Sequence, residues 1–280
     1  MPTQFLTVDG GKLAYSEHGT ADGEAIFFIH GWMESRLNWK TTLTFLEADY
    51  RCIAVDLLGF GQSEKPADGD YSIAAQGERI VALADALGID KFRVIGHSMG
   101  GTIALYIAAV IAPERVVQVV SLAGVVSGRL HPLTLQTGVR LARLPLSILT
   151  GIIKATRGFR HQKWLAHQQF KASFYDITSL PFELWQDWRD ATYLDGIAIP
   201  MKRAAEAILS TDITPILKDI RCPALAIFGR HDHVVFPSDG ELVAEHVPQG
   251  RLIMYEDCGH FPNWEKRTEY EADVMAFLRE

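Results

Sequence analysis

The chain has 280 residues, of which 48% are hydrophobic and 22% charged, and its net charge is −7. That is enough for one large domain, or for a domain carrying an insertion, around a sizeable core. The acidic balance argues against nucleic-acid binding, and no apolar run reaches the roughly 18 residues of a membrane span.

Residues 1–4 lack the basic and apolar regions of a signal peptide. Cys52, Cys222 and Cys258 are widely spaced and show no metal-ligand pattern. A cytoplasmic chain with reduced thiols is the simplest reading. Residues 4–8 and 12–17 alternate apolar and polar side chains around Asp9-Gly10-Gly11, which predicts an antiparallel hairpin at a sheet edge. Short continuous apolar runs follow at 25–29, 51–55, 92–95, 116–120, 224–228 and 251–255. Such runs suit strands buried on both faces of a parallel sheet.

Helical patterns lie between the runs. Ser72 is placed to cap a helix that Gly88 ends. A second runs from 99 to 112, before Pro113. Others are expected at 238–246 and 267–278, with Trp264-Glu265 starting the last one. Strands alternating with helices predict an α/β fold with a mostly parallel, doubly wound sheet. Residues 126–211 break this rhythm, with helical patterns at 141–157, 162–175, 182–188 and 200–208 and no clear strand. They are read as a helical cap inserted into a core made of residues 1–125 and 212–280. Residues 115–174 hold nine of the 27 basic residues and none of the 34 acidic ones. Solvated faces are the ordinary role for such residues. The sharper alternative is attraction of anionic substrates or of an anionic membrane surface.

The run ending at Ile95 leads into Gly96-His97-Ser98-Met99-Gly100-Gly101. A serine raised on a tight strand-to-helix turn needs very small residues two before and two after it, because those positions crowd together. A serine hydroxyl also needs a base and an acid to orient that base. In an open parallel sheet such groups sit beyond the carboxyl ends of the strands. The 224–228 run is followed by Gly229-Arg230-His231-Asp232-His233, and the 251–255 run by Cys258-Gly259-His260. Ser98, Asp232 and His260 are therefore the candidate triad. The 25–29 run ends in His30-Gly31-Trp32-Met33, so the backbone N–H groups of Trp32 and Met99 are the candidate oxyanion donors.

These motifs, with Asp56-Leu57-Leu58-Gly59-Phe60-Gly61-Gln62-Ser63, resemble the α/β-hydrolase fold over essentially the whole chain. The resemblance implies that the cap shapes the substrate site. It disfavours the dehalogenase and epoxide-hydrolase branches, which carry aspartate at the Ser98 position. It also assigns Asp56 to loop structure. No acid follows the 116–120 run, where some relatives keep the triad acid. His97 is expected to point away at the turn, and His30 to buttress the oxyanion loop. His231 and His233 make a weak metal site, so no metal is expected, and Cys258 is read as packing. Trp164, Trp185 and Trp188 are candidates for lining an apolar substrate pocket, with core packing as their ordinary role.

The resulting expectation is a cofactor-independent serine hydrolase acting on a small-molecule carboxylic ester through an acyl-enzyme. Carbon–carbon hydrolysis of a ring-cleavage product is the first alternative, although His97 stands where many such enzymes carry asparagine. A lactonase, a thioesterase and a small-ligand receptor on the same fold remain open, as does oligomeric state.

Overall fold

The computed structural model describes residues 2–132, 138–162, 164, 168, 170–179 and 182–280. The apolar runs form one eight-stranded sheet: β1 (Gln4–Val8), β2 (Gly11–Gly19), β3 (Ala25–Ile29), β4 (Arg51–Asp56), β5 (Phe92–His97), β6 (Val116–Leu122), β7 (Ala224–Gly229) and β8 (Gly250–Tyr255). The spatial order is β1-β2-β4-β3-β5-β6-β7-β8. β1 and β2 pair antiparallel, as does β2 with β4, and every later pairing is parallel. Successive side chains on a strand face opposite sides. Phe27 accordingly joins Ile53 and Val94 in one buried cluster, and Phe28 joins Ala54 and Ile95 in the other. Helices cover both faces, so the central strands can be apolar throughout.

Local chemistry sets the helix ends. The Ser72 hydroxyl accepts from the Ala75 N–H at 3.2 Å and caps the helix Ile73–Ala86, and Gly88 follows it with φ +69°. The helix Met99–Tyr106 widens into a π-helical segment, Ile107–Ile111, before Pro113. The expected 141–157 helix is two helices, Gly138–Ala142 and Leu146–Thr156. Pro145 separates them, because its ring disfavours helical backbone at Leu144 and it has no N–H to donate. Part of the expected 162–175 helix lies outside the described residues, and its end, Lys171 to Ser173, is a turn. Trp264 and Glu265 belong to a separate short helix, Pro262–Glu265, and the last helix, Arg267–Leu278, starts after a break at Lys266.

Among the described residues, 126–211 contribute helices and turns but no strand of the sheet. The segment leaves and rejoins the sheet at one stem, where the Ile213 N–H donates to the Val126 carbonyl at 2.9 Å. Basic residues of the acid-free stretch 115–174 find acids beyond it. Arg115 pairs with Asp85, Arg157 with Asp195, and Arg160 with Asp190. Arg140, Arg143 and Lys154 are exposed, and Lys163 lies outside the described residues. No helix of the described residues is long and apolar enough to cross a membrane.

The serine turn is tightly packed against neighbouring backbone. A methyl group on Gly96 would collide with the Gly100 carbonyl, and one on Gly100 with the Ile29 carbonyl. Both obstacles are backbone and have no rotamer to escape into. Gly96→Ala is therefore expected to destabilise the fold by more than about 4 kcal/mol. A denaturant melt, or loss of soluble protein, measures this. An unchanged midpoint would mean that the turn relaxes freely.

Candidate functional site

Ser98 has φ 53° and ψ −120°, outside the regions that L-residues ordinarily occupy. Three hydrogen bonds hold it there. Its N–H donates to the Leu122 carbonyl at 2.8 Å, and its carbonyl accepts from the N–H groups of Gly101 (2.8 Å) and Thr102 (3.2 Å). Backbone strain that persists must be over-determined by its surroundings. Here β6, the helix start and the two crowded glycines supply that constraint, and the side chain is left on the turn with none of these bonds depending on it.

Asp232 and His260 stand at the ends of β7 and β8, on the same edge of the sheet. Asp232 Oδ1 accepts from the N–H groups of Val234 (2.7 Å) and Val235 (2.9 Å), which fixes the carboxylate. Its Oδ2 lies 2.7 Å from His260 Nδ1. Both side chains are buried. A carboxylate only accepts, so Nδ1 carries the proton and Nε2 of neutral His260 is left as the acceptor. That is the tautomer a general base requires.

The turn after β3 packs against the serine. A methyl on Gly31 would lie 3.0 Å from Ser98 Cβ. The Glu34 N–H closes the turn on the Gly31 carbonyl at 3.3 Å, and Met33 has φ +63°. Trp32 Nε1 donates to the Met201 carbonyl at 2.9 Å, pinning this turn to the helix Ala198–Ser210. Met99 opens its helix, so its N–H is among those with no intrahelical acceptor. Beneath the turn, His30 Nδ1 donates to the Gly31 carbonyl at 2.8 Å, while Nε2 accepts from the Leu57 N–H at 3.0 Å. Burial lowers the His30 pKa, in keeping with a neutral ring. Asp56 is engaged elsewhere: it accepts from the Arg36 backbone at 2.7 Å, binds the Arg36 guanidinium and accepts from the Gln62 N–H at 2.8 Å.

Two arrangements had no counterpart in the sequence reading. The first joins Glu34 and His97. Glu34 Oε1 lies 2.9 Å from His97 Nδ1, and Oε2 accepts from the Gly31 N–H (3.0 Å) and Asn38 Nδ2 (2.8 Å). His97 Nε2 lies 2.8 Å from the His260 carbonyl. His97 points beneath the histidine loop rather than merely away from the turn. An acid three residues after His30-Gly31 and a histidine beside the serine were the available signals.

The second ties the 126–211 segment to the histidine loop. The His260 N–H donates to the Ser173 carbonyl at 2.7 Å. The Glu265 carboxylate accepts from the N–H groups of Gly259 (2.8 Å) and Tyr175 (2.7 Å). Burial raises the Glu265 pKa against the pull of these amides. Burial, reinforced by the nearby Glu265 charge, also pushes the Cys258 thiol well up, so it stays protonated and inert.

Two of the three candidate tryptophans can be placed. Trp185 is buried within the helical segment, stacked on Phe182, and Trp164 is 62% exposed. The Trp188 side chain lies outside the described residues. A pocket of about 150 Å³ in this segment is lined by residues including Leu146, Ile153, Arg157, Tyr193 and Ile197, and by neither tryptophan. His231 lies against Tyr175 and His233 against His131, both at tilted angles, so the two rings turn to different neighbours. Among the described residues no group of three or more His, Cys, Asp or Glu is arranged to hold a metal.

Comparison with known proteins agrees with this architecture. Residues 24–267 match the model of the family described as alpha/beta hydrolase fold. A bifunctional esterase/perhydrolase of Acinetobacter calcoaceticus is 30% identical over 98% of this chain and 98% of its own length. The 2-hydroxy-6-oxo-6-phenylhexa-2,4-dienoate hydrolase of Comamonas testosteroni is 27% identical over 95% of this chain and 91% of its own. Among solved structures, an enol-lactonase from Burkholderia xenovorans LB400 superposes with a TM-score of 0.81, at 23% identity, over 99% of this chain and 100% of that one.

Proposed function

We propose that this chain, which belongs to the alpha/beta hydrolase fold family, hydrolyses small-molecule carboxylic esters with Ser98 as nucleophile, His260 as base and Asp232 as orienting acid. The observation that carries the reading is the 2.7 Å bond from His260 Nδ1 to a carboxylate that two backbone amides immobilise. It leaves Nε2 as a proton acceptor on the sheet edge from which Ser98 is raised.

In the proposed mechanism Nε2 takes the Ser98 proton as Oγ adds to the ester carbonyl. The resulting oxyanion is held by the N–H groups of Trp32 and Met99, donors fixed before the charge appears. The imidazolium, stabilised by Asp232, protonates the departing alkoxide as the tetrahedral carbon collapses to an acyl-enzyme. Water then adds to the acyl carbon with the same proton relay, releasing the acid and restoring Ser98. No cofactor enters the scheme. Residues 126–211 are assigned as the cap, a reading supported by the single stem at Val126 and Ile213. Trp32 and Met33, on the oxyanion turn, pack against the buried Leu149, Met201 and Ala205 of this segment, which joins it to the catalytic turn.

A second reading, hydrolysis of a carbon–carbon bond in a ring-cleavage dienoate, draws support from the Comamonas relative. A panel of p-nitrophenyl esters of increasing acyl length, run beside a ring-cleavage dienoate, separates the two. The expected result is a kcat/KM for the best ester at least about 10²-fold above that for the dienoate, roughly 2.7 kcal/mol of differential transition-state binding. The reverse preference would replace ester cleavage by carbon–carbon cleavage.

A further inference from the structure

The buried pair at the floor of the site has no part in the mechanism above, and its hydrogen bonds define its charge. His97 Nε2 faces a backbone carbonyl, that of His260, at 2.8 Å, so it must be a donor. His97 Nδ1 faces a carboxylate oxygen of Glu34 at 2.9 Å, so it too is a donor. A ring with protons on both nitrogens is an imidazolium. The second Glu34 oxygen accepts two further hydrogen bonds, from the Gly31 N–H and from Asn38 Nδ2, as an ionised carboxylate would. Asn38 Oδ1 in turn accepts from Trp264 Nε1 at 2.8 Å. His97 has no solvent exposure and Glu34 very little.

The bonds run in a definite direction. One end of the pair holds the Gly31 amide, in the turn that carries Trp32. The other end holds the carbonyl of His260. Glu34 and His97 are 63 positions apart and His97 and His260 are 163 apart, so nothing local joins these loops. Phe261 lies against the His97 ring, with centroids 4.7 Å apart, and the His97 and His260 rings are 4.8 Å apart.

We propose that Glu34 and His97 are positioning residues: a buried carboxylate–imidazolium pair that locks the oxyanion turn and the catalytic histidine loop into one register. The inference rests on the ester-hydrolase reading for its kinetic consequence, but the charge state of the pair can be read without turnover.

The electrostatics agree with the geometry. Burial alone would lower the His97 pKa, but the Glu34 charge and hydrogen bond, the His260 carbonyl and the Asp232 charge outweigh it and raise the value. Burial would raise the Glu34 pKa, but the His97 charge and hydrogen bond and the Gly31 amide hold it below the ordinary value. Asp232, His30 and His260 are thus the titratable groups facing the pair. Because the folded His97 pKa is raised, its contribution to stability is full below the ordinary value of 6.5 and is lost as pH rises through the raised value. Because the folded Glu34 pKa is depressed, its contribution is full above 4.5 and is lost as pH falls through the depressed value.

The test uses the full chain with three replacements at the pair, read by kinetics and by nitrogen-resolved NMR of the histidine rings. His97→Leu removes the charge and the bond to His260. His97→Gln keeps an amide donor for that carbonyl without the charge. Glu34→Gln keeps an acceptor for Gly31. For p-nitrophenyl acetate, His97→Leu is expected to lose about 10²-fold in kcat with KM within about threefold, the scale of a misplaced base. His97→Gln should recover at least about tenfold of that loss. In the Ser98→Ala protein, which needs no activity, both His97 ring nitrogens should carry protons at pH 6.5 and lose one only at higher pH. Glu34→Gln should move that titration downward. A neutral His97 ring at pH 6.5 would overturn the proposal, as would a folded His97→Leu protein with kcat within threefold of wild type. If His97→Leu does not fold, the Glu34→Gln titration decides. If Ser98→Ala is itself fully active, the ester-hydrolase reading fails while the NMR result still judges the pair.

Discussion

Replacing Ser98 by alanine is expected to lower kcat for a short p-nitrophenyl ester by at least about 10⁴-fold, the scale seen when a nucleophile acting in a concerted unit is removed. The fold should survive. The bonds that hold the turn belong to the backbone: the N–H to Leu122 and the carbonyl that accepts from Gly101 and Thr102. Alanine keeps all of them and meets the same positive φ that serine already bears. The change in stability should therefore stay within about 1 kcal/mol, which a thermal melt beside the assay measures. Covalent labelling by a fluorophosphonate should disappear in parallel. An alanine protein that turns over ester at the wild-type rate would remove the nucleophile from the mechanism.

Asp232→Asn tests a different element of the site. One face of the carboxylate is committed to the amides of Val234 and Val235, so the asparagine oxygen is drawn to that side. Its NH₂ group then faces His260 Nδ1, a donor against a donor. The ring answers by moving its proton to Nε2, where it blocks the serine. Geometry is preserved and the tautomer is wrong, a change worth about 10⁴-fold in kcat when it occurs in a serine triad. The measurement is kcat at neutral pH, with a melt to show that the 229–235 loop is intact. Activity within tenfold of wild type would mean that the orienting acid is another carboxylate. Asp56, the rival at a strand end, is already bound to Arg36.

How legible the molecule was in its sequence depends on the range of the interactions. The strands were readable because each is a short apolar run ended by glycine or a polar turn, and their carboxyl ends marked where Ser98, Asp232 and His260 stand. Ser72 and Gly88 announced one helix through local capping chemistry. Pro145 was equally local, yet the apolar periodicity on both sides masked the break it makes. The tryptophans are ambiguous for another reason. Size and apolarity fit a pocket wall and a helical interior equally well, and only tertiary packing sent Trp185 inward. The Glu34–His97 pair was the hardest to see. Neither residue is unusual beside its neighbours in sequence, and the carbonyl that His97 holds carries no side-chain signature at all.

The tie between Ser173 and His260 has a mechanical consequence. If the segment containing Ser173 lifted from the core as a rigid flap, the His260 amide would lose its acceptor and Glu265 its two amides on that side, Tyr175 and Asp176. The loop that presents His260 would then keep its side-chain bond to Asp232 but lose its backbone tie to this segment. Residues 173–176 are therefore tied to the histidine loop from both sides, by the Ser173 carbonyl and by Glu265.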